Sequence, residues 1–219
     1  MLTVHHLNNS RSQRVLWLLE ELGLPYEVVR YQRGPDLRAP ASLRAVHPLG
    51  RSPVLVDGGR TIAESGAIIE YLLATYGQGR LAPALGSEDR LRYTYWLHYA
   101  EGSAMPPLLM KLVFDRMPRG VPALLRPFVS MVASRALSSF VLPEFRWHMA
   151  YWERELADTG WFAGPEFTAA DIQMSFPLEA AARRARLGDG HPNAMAFLDR
   201  IHTRPAYQRA ETVGGPSMP

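Results

Sequence analysis

Apolar and polar residues alternate over 2–6, Leu2-Thr3-Val4-His5-His6, in the period of two that a strand with one buried face requires. Over 13–22 the period lengthens. Val15, Leu16, Leu18, Leu19 and Leu22 share one face of a predicted helix that Gly23 closes. A second strand signal covers 25–30, followed by a loop holding Gly34-Pro35 and a short helix over 41–46 before His47-Pro48. The run 53–56 reads as a third strand. Gly58-Gly59 reverses the chain, and a fourth strand ends near Ala63. Glu64-Ser65-Gly66 then opens a helix carrying Ile68, Ile69, Tyr71 and Leu72. Interleaved strands and helices of this kind predict an α/β domain.

Beyond 78 the strand period disappears. Gly77-Gln78-Gly79-Arg80-Leu81-Ala82-Pro83 is rich in breakers, which divides the chain into a domain over 1–78, a linker over 79–86 and an all-helical domain over 87–219. One helix is expected over 87–102, interrupted near Pro106-Pro107 and resuming toward Met117; a longer one covers 129–157, with Pro143 as a kink or break. Thr168 and Asp171 have the spacing of a capping box, in which each side chain satisfies an orphan N–H at the helix start. Ser10 and Gln13 have the same spacing ahead of the first helix.

Composition narrows the chemistry. With 47% hydrophobic and 21% charged residues the chain is an ordinary globular one, and no apolar run reaches the roughly 20 residues of a membrane span. The start MLTVHHLNNS has neither a basic region nor an apolar core, so a cytoplasmic protein is expected. Cysteine is absent, which removes disulfides, thiolate metal sites and a cysteine nucleophile. The seven histidines form no His-x-x-x-His pair, so no metal site is expected. The pI of ≈ 9.4 reflects arginine, since Lys111 is the sole lysine and the formal charge is only +3. Arg183, Arg184 and Arg186 form the densest basic group, but Glu179 and Asp189 flank it, so no nucleic-acid partner is expected.

The segment 47–72, HPLGRSPVLVDGGRTIAESGAIIEYL, carries the strongest functional signal. A proline at a strand start donates no ladder bond and accommodates a cis peptide. Ser65 brings a hydroxyl and free backbone N–H groups to a helix N-terminus, where an anion is stabilised. An extended peptide bearing a carboxylate fits such a place.

Together with SRSQRVLWLLEELGLPYEVV, these motifs resemble the glutathione S-transferases, in particular the fungal and bacterial branch that shares HPLGRSP and AESG. The resemblance covers essentially the whole chain and implies a thioredoxin-like domain followed by a helical-bundle domain, assembled as a homodimer. It implies that Ser52, before Pro53, pairs its backbone with the cysteinyl part of glutathione. Glu64 would take the γ-glutamyl ammonium and Ser65 the α-carboxylate; Arg51, then Arg38, then Arg44 are candidates for the glycyl carboxylate.

The family activates the glutathione thiol with a hydroxyl near the end of the first strand. Here the turn reads Leu7-Asn8-Asn9-Ser10-Arg11-Ser12, without tyrosine, and counting back from Arg14-Val15 puts Asn9 where serine-type relatives carry the hydroxyl. Ser10 and Asn9 are therefore the catalytic candidates, with Arg11 next. Tyr99, Ser103 and Met105, with Pro106, Met110 and Phe114, are candidates for a pocket taking a hydrophobic electrophile. Glutathione is the only co-substrate implied. Two rival activities remain open at this stage: a glutathione-dependent disulfide or peroxide reductase, and a non-enzymatic glutathione-binding module.

Overall fold

The computed structural model describes residues 1–34, 36, 38–185, 187–188 and 190–215. Pro35 of the expected loop, and Arg186 and Asp189 of the basic group, lie outside the described residues.

Four strands, β1 (Leu2–Leu7), β2 (Tyr26–Tyr31), β3 (Val54–Asp57) and β4 (Arg60–Ala63), form one mixed sheet in the order β2-β1-β3-β4. β1 runs parallel to β2 with Val4 opposite Val28, and antiparallel to β3 with Val4 opposite Leu55. Its alternation thus buries Leu2 and Val4 at the centre of the sheet. The parallel β1–β2 pair requires a crossover, which α1 (Ser12–Leu22) supplies. The segment predicted as a short helix over 41–46 is a 3-10 helix, Ala41–Ala45. With α2 (Ser65–Tyr76) this completes the thioredoxin-like domain.

The rest of the described chain is helical: α3 (Glu88–Tyr99), α4 (Met105–Arg116), α5 (Arg126–Ala136), α6 (Leu142–Glu155), α7 (Ala169–Arg184), α8 (Pro192–His202) and α9 (Pro205–Gly214). Two expected interruptions take an unforeseen form. A π-helical turn, Ala100–Ala104, carries α3 into α4 ahead of Pro106 and Pro107, and another, Leu137–Val141, carries α5 into α6 ahead of Pro143. Proline removes an N–H and crowds the carbonyl one turn back; a widened turn relieves both, so the chain continues where the sequence suggests a break.

α1 is where the two halves join. It packs on β1 and α2 of its own domain and on α7 and α9 of the helical one. Burial on all sides extends even to its polar residues Ser12, Gln13 and Arg14. The expected Ser10–Gln13 capping box does not form. Ser10 Oγ accepts from Ser12 N at 3.3 Å, and the Gln13 amide lies buried without a partner among the described residues.

The box at α7 does form. Asp171 accepts from Thr168 N (2.7 Å), Thr168 Oγ1 (3.0 Å) and Phe162 N (2.8 Å), all inside the core. Replacing it strands buried donors at about 1–3 kcal/mol each, so Asp171→Ala is expected to destabilise the fold by about 3 kcal/mol or more in urea unfolding. A loss below about 1 kcal/mol would mean that water replaces the carboxylate.

Candidate active site

The turn after β1, the segment before β3 and the N-terminus of α2 converge on one groove. Its inner part, about 140 Å³, is lined by Arg11, His47, Arg51, Ser52, Pro53, Glu64, Ser65 and Glu101. An outer part of about 650 Å³ shares Arg11, Leu49, Arg51 and Ser52 with it and adds Arg33, Asp36, Arg38 and Arg44. The Ser52–Pro53 peptide is cis. Ser52 Oγ donates to His5 O at 2.9 Å and accepts from Leu7 N at 3.2 Å, which ties the Pro-bearing segment to β1.

Glu64 stands at the entrance to α2 with φ +73°, a left-handed backbone that non-glycine residues adopt at a cost of order 1–3 kcal/mol. Its side chain is exposed in the groove, while Ser65, the first residue of α2, is buried. The inner groove thus offers a carboxylate next to a hydroxyl and a helix N-terminus. A zwitterion presenting an ammonium and a carboxylate matches that arrangement. The outer part is basic: Arg11, Arg33, Arg38, Arg44 and Arg51 face it against the single acid Asp36. Arg38 is exposed and only loosely paired to Asp36, at 3.9 Å.

Behind the inner groove lies a charged cluster. Glu101 Oε1 accepts from Arg11 Nε (2.8 Å) and Arg14 Nη1 (2.6 Å), and Arg14 Nη1 also donates to Gln173 Oε1 (3.1 Å). Gln173 Nε2 in turn donates to Ser65 Oγ at 3.1 Å. Burial pulls the Arg14 guanidinium down to about 10, with Glu101 opposing and Arg11 adding to the shift. Burial alone would raise the Glu101 carboxyl, but Arg14 and Arg11 outweigh it and hold it below the usual range. Arg14 and Glu101 are therefore both charged at neutral pH.

The turn 8–11 places its side chains unequally. Ser10 is buried. Its Oγ lies 2.8 Å from Ser12 Oγ and 3.5 Å from Ser52 Oγ, and Ser12 Oγ lies 2.9 Å from His6 Nδ1. His6 Nε2 sits 2.9 Å from Gly214 O, a pure acceptor, so Nε2 carries the proton and Nδ1 accepts. Burial keeps His6 neutral by lowering its pKa. Ser12 therefore donates to His6, and Ser10 donates its one proton to Ser12. Asn9 is exposed at φ +51°, with its carbonyl held by Arg33 Nη2. Arg11 is the residue of this turn that lines both parts of the groove.

Of the candidates for an electrophile pocket, Tyr99, Ser103 and Met105 do not share one wall. Tyr99 and Met105 are buried in the helical core, where the Tyr99 hydroxyl bonds His148 and accepts from Trp152 Nε1 at 3.2 Å. Ser103 is exposed on the π-helical turn that also carries Glu101. Of the residues that meet around the groove, Glu101, Gln173, His47 and Arg33 were not singled out by the sequence. Glu101 and Gln173 approach from the helical domain, and no local pattern announces a contact across 87 or 108 residues.

The residues 1–74 match the family model described as "Glutathione S-transferase, N-terminal domain", and 121–205 match "Glutathione S-transferase, C-terminal domain". The chain is 37% identical to Glutathione S-transferase 3 of Schizosaccharomyces pombe, covering 96% of this chain and 86% of that protein. It is 32% identical to Glutathione S-transferase 1 of Saccharomyces cerevisiae, covering 94% and 92%. Among solved structures, a glutathione S-transferase from Actinobacillus pleuropneumoniae superposes with a TM-score of 0.80 at 31% identity, covering 98% of this chain and 93% of that one. A sphingomonad glutathione S-transferase complexed with glutathione superposes at 0.73 with 26% identity, covering 97% and 98%.

Proposed function

The chain belongs to the glutathione S-transferase family, and from that premise we propose how its groove holds glutathione and what it does with the thiol. It is a glutathione transferase. In our reading Ser52, ahead of Pro53, pairs its backbone with the cysteinyl residue. Glu64 takes the α-ammonium of the γ-glutamyl end, and Ser65 with the α2 N-terminus takes its α-carboxylate. Arg51, with Arg38 and Arg44 further out, faces the glycyl carboxylate. The observation that supports this most is that one groove presents complementary charges at both ends of an extended tripeptide.

The thiolate is stabilised from the turn 8–11. Ser10 has committed its proton to Ser12, so we assign the donors at the sulfur to Arg11 and Asn9, with Ser10 holding the turn in shape. A free thiol titrates near 8.5, and each unit of depression corresponds to about 1.4 kcal/mol of preference for the thiolate. The thiolate then attacks an electrophilic carbon. A C–S bond forms as the carbon's leaving group departs, and the thiol proton passes to solvent. We place the electrophile against the helical domain near Ser103, with Tyr99 and Met105 forming the core behind it. A cytoplasmic setting, where glutathione is kept reduced, fits this chemistry. Faster turnover with an aromatic chloride than with a mixed glutathione disulfide supports conjugation; the reverse ranking overturns it in favour of the reductase.

The homodimer is proposed on the family resemblance and on an exposed apolar surface over α4–α6. Leu109, Val113, Phe128, Met131, Val132, Phe140 and Trp147 are all solvent-facing in the single chain. Sedimentation at micromolar concentration is expected to give about twice the 24.6 kDa chain mass. A single species at the chain mass would refute the assembly.

A further inference from the structure

We infer that Gln173, on α7 of the helical domain, is a positioning residue that sets the Ser65 hydroxyl as a donor to the ligand carboxylate, with Arg14 fixing Gln173 in turn. The inference rests on the assignment of Ser65 to the γ-glutamyl α-carboxylate made above.

The orientation follows from donor and acceptor inventory. Arg14 can only donate, so the Gln173 atom 3.1 Å from Arg14 Nη1 is the carbonyl Oε1. The amide nitrogen Nε2 is then the atom that faces Ser65 Oγ, at 3.1 Å. Nε2 can only donate, so Ser65 Oγ accepts there and keeps its own proton for another partner. Ser65 lines the inner groove at the N-terminus of α2, which leaves an anion in that groove as the partner this geometry favours.

Charge reinforces the arrangement. Two guanidiniums, Arg11 and Arg14, share the single carboxylate Glu101, and Arg14 leaves Nε and Nη2 buried with no hydrogen-bond partner among the described residues. The cluster therefore carries a net positive charge, and the Gln173 amide is oriented with its positive end toward Ser65. Glu64, the exposed acid of the same groove, stands opposite that charge, so this end of the groove presents both signs to a zwitterionic ligand end. Gln173, Ser65 and Arg14 are all buried, so water does not compete readily for these bonds.

Calorimetry of glutathione binding to the full chain tests this. Gln173→Leu removes the donor and is expected to weaken binding about five- to tenfold. Gln173→Glu turns the Ser65 proton away from the ligand and is expected to weaken it further. Gln173→Leu is expected to raise the glutathione KM more than it lowers turnover at saturating glutathione, since the thiol lies at the other end of the γ-glutamyl unit. The decisive comparisons are Ser65→Ala against Ser65→Ala/Gln173→Leu, and glutathione against its analogue with the α-carboxyl converted to an amide. Positioning predicts that Gln173→Leu has no further effect once Ser65 is alanine, and little effect on the amide. A merely structural role predicts the same fractional loss in both backgrounds and for both ligands, and that result overturns the inference. Wild-type affinity in Ser65→Ala would overturn the carboxylate assignment, and the relay with it. A loss in Ser65→Ala that adds fully to the loss in Gln173→Leu would overturn the relay alone.

Discussion

Glu64→Gln and Ser65→Ala are each expected to weaken glutathione binding by about 1–3 kcal/mol, roughly 5- to 150-fold, the scale of a lost charge-assisted hydrogen bond. The two losses have different characters. Ser65→Ala removes a hydroxyl from the N-terminus of α2 and leaves Gln173 Nε2 buried without its acceptor, so part of its cost appears in the free protein. Glu64→Gln removes the negative charge facing the ligand ammonium but keeps the shape and the exposed position. Its effect is expected to fall as salt rises, because an exposed charge is screened. The left-handed backbone at Glu64 supplies a control: Glu64→Gly relieves the strain while removing the same carboxylate. Glu64→Gly is therefore expected to match the binding loss of Glu64→Gln while raising thermal stability. Calorimetry showing wild-type affinity in both Ser65→Ala and Glu64→Gln would refute the assignment of the γ-glutamyl site.

Much of this groove is legible in the sequence because its pieces are local. The cis Ser52–Pro53 turn, the β3–β4 hairpin and the Ser65 helix start are consecutive in the chain, and each is specified by its own residues. The strand over 2–6 and the helix over 13–22 emerge at nearly their observed bounds for the same reason, since each has a clear period and α1 a closing glycine. What the sequence does not reveal is long-range. The Ser10–Gln13 spacing promises a capping box, yet Ser12 and, through it, His6 and the Gly214 carbonyl claim the Ser10 hydroxyl instead. Tyr99 and Met105 lie on an apolar stripe, and a stripe alone does not separate a cleft wall from a core. The π-helical turns that carry the chain through Pro106 and Pro143 have no sequence period of their own. The Arg11–Glu101–Arg14–Gln173 cluster needs α1, the π-helical turn after α3 and α7 to be packed before any of its members becomes visible.

Removing Arg11 is expected to have the largest effect on catalysis. Arg11→Ala should raise the pKa of enzyme-bound glutathione toward the free value near 8.5 and lower turnover on the order of a hundredfold, by analogy with deletion of an oxyanion donor. Asn9→Ala should cost less, and the double variant more than either, if the two share the sulfur. Ser10→Ala is expected to leave the bound thiol pKa close to wild type, because the Ser10 proton already bonds Ser12; its cost is about 1 kcal/mol of stability from the loosened turn.

Arg11 also pairs with Glu101, so its removal perturbs the charged cluster, and Glu101→Gln separates the two effects. That variant frees the Arg11 guanidinium from its carboxylate while keeping a side chain of the same size. A direct role for Arg11 predicts that Glu101→Gln holds the bound thiol pKa at or below the wild-type value. A role exerted only through the cluster predicts that Glu101→Gln raises it as Arg11→Ala does. Titrating the thiolate absorbance of bound glutathione in these variants distinguishes the two. A pKa unmoved by Arg11→Ala, Asn9→Ala and Ser10→Ala alike would transfer thiolate stabilisation from these side chains to the backbone N–H groups and dipole at the start of α1.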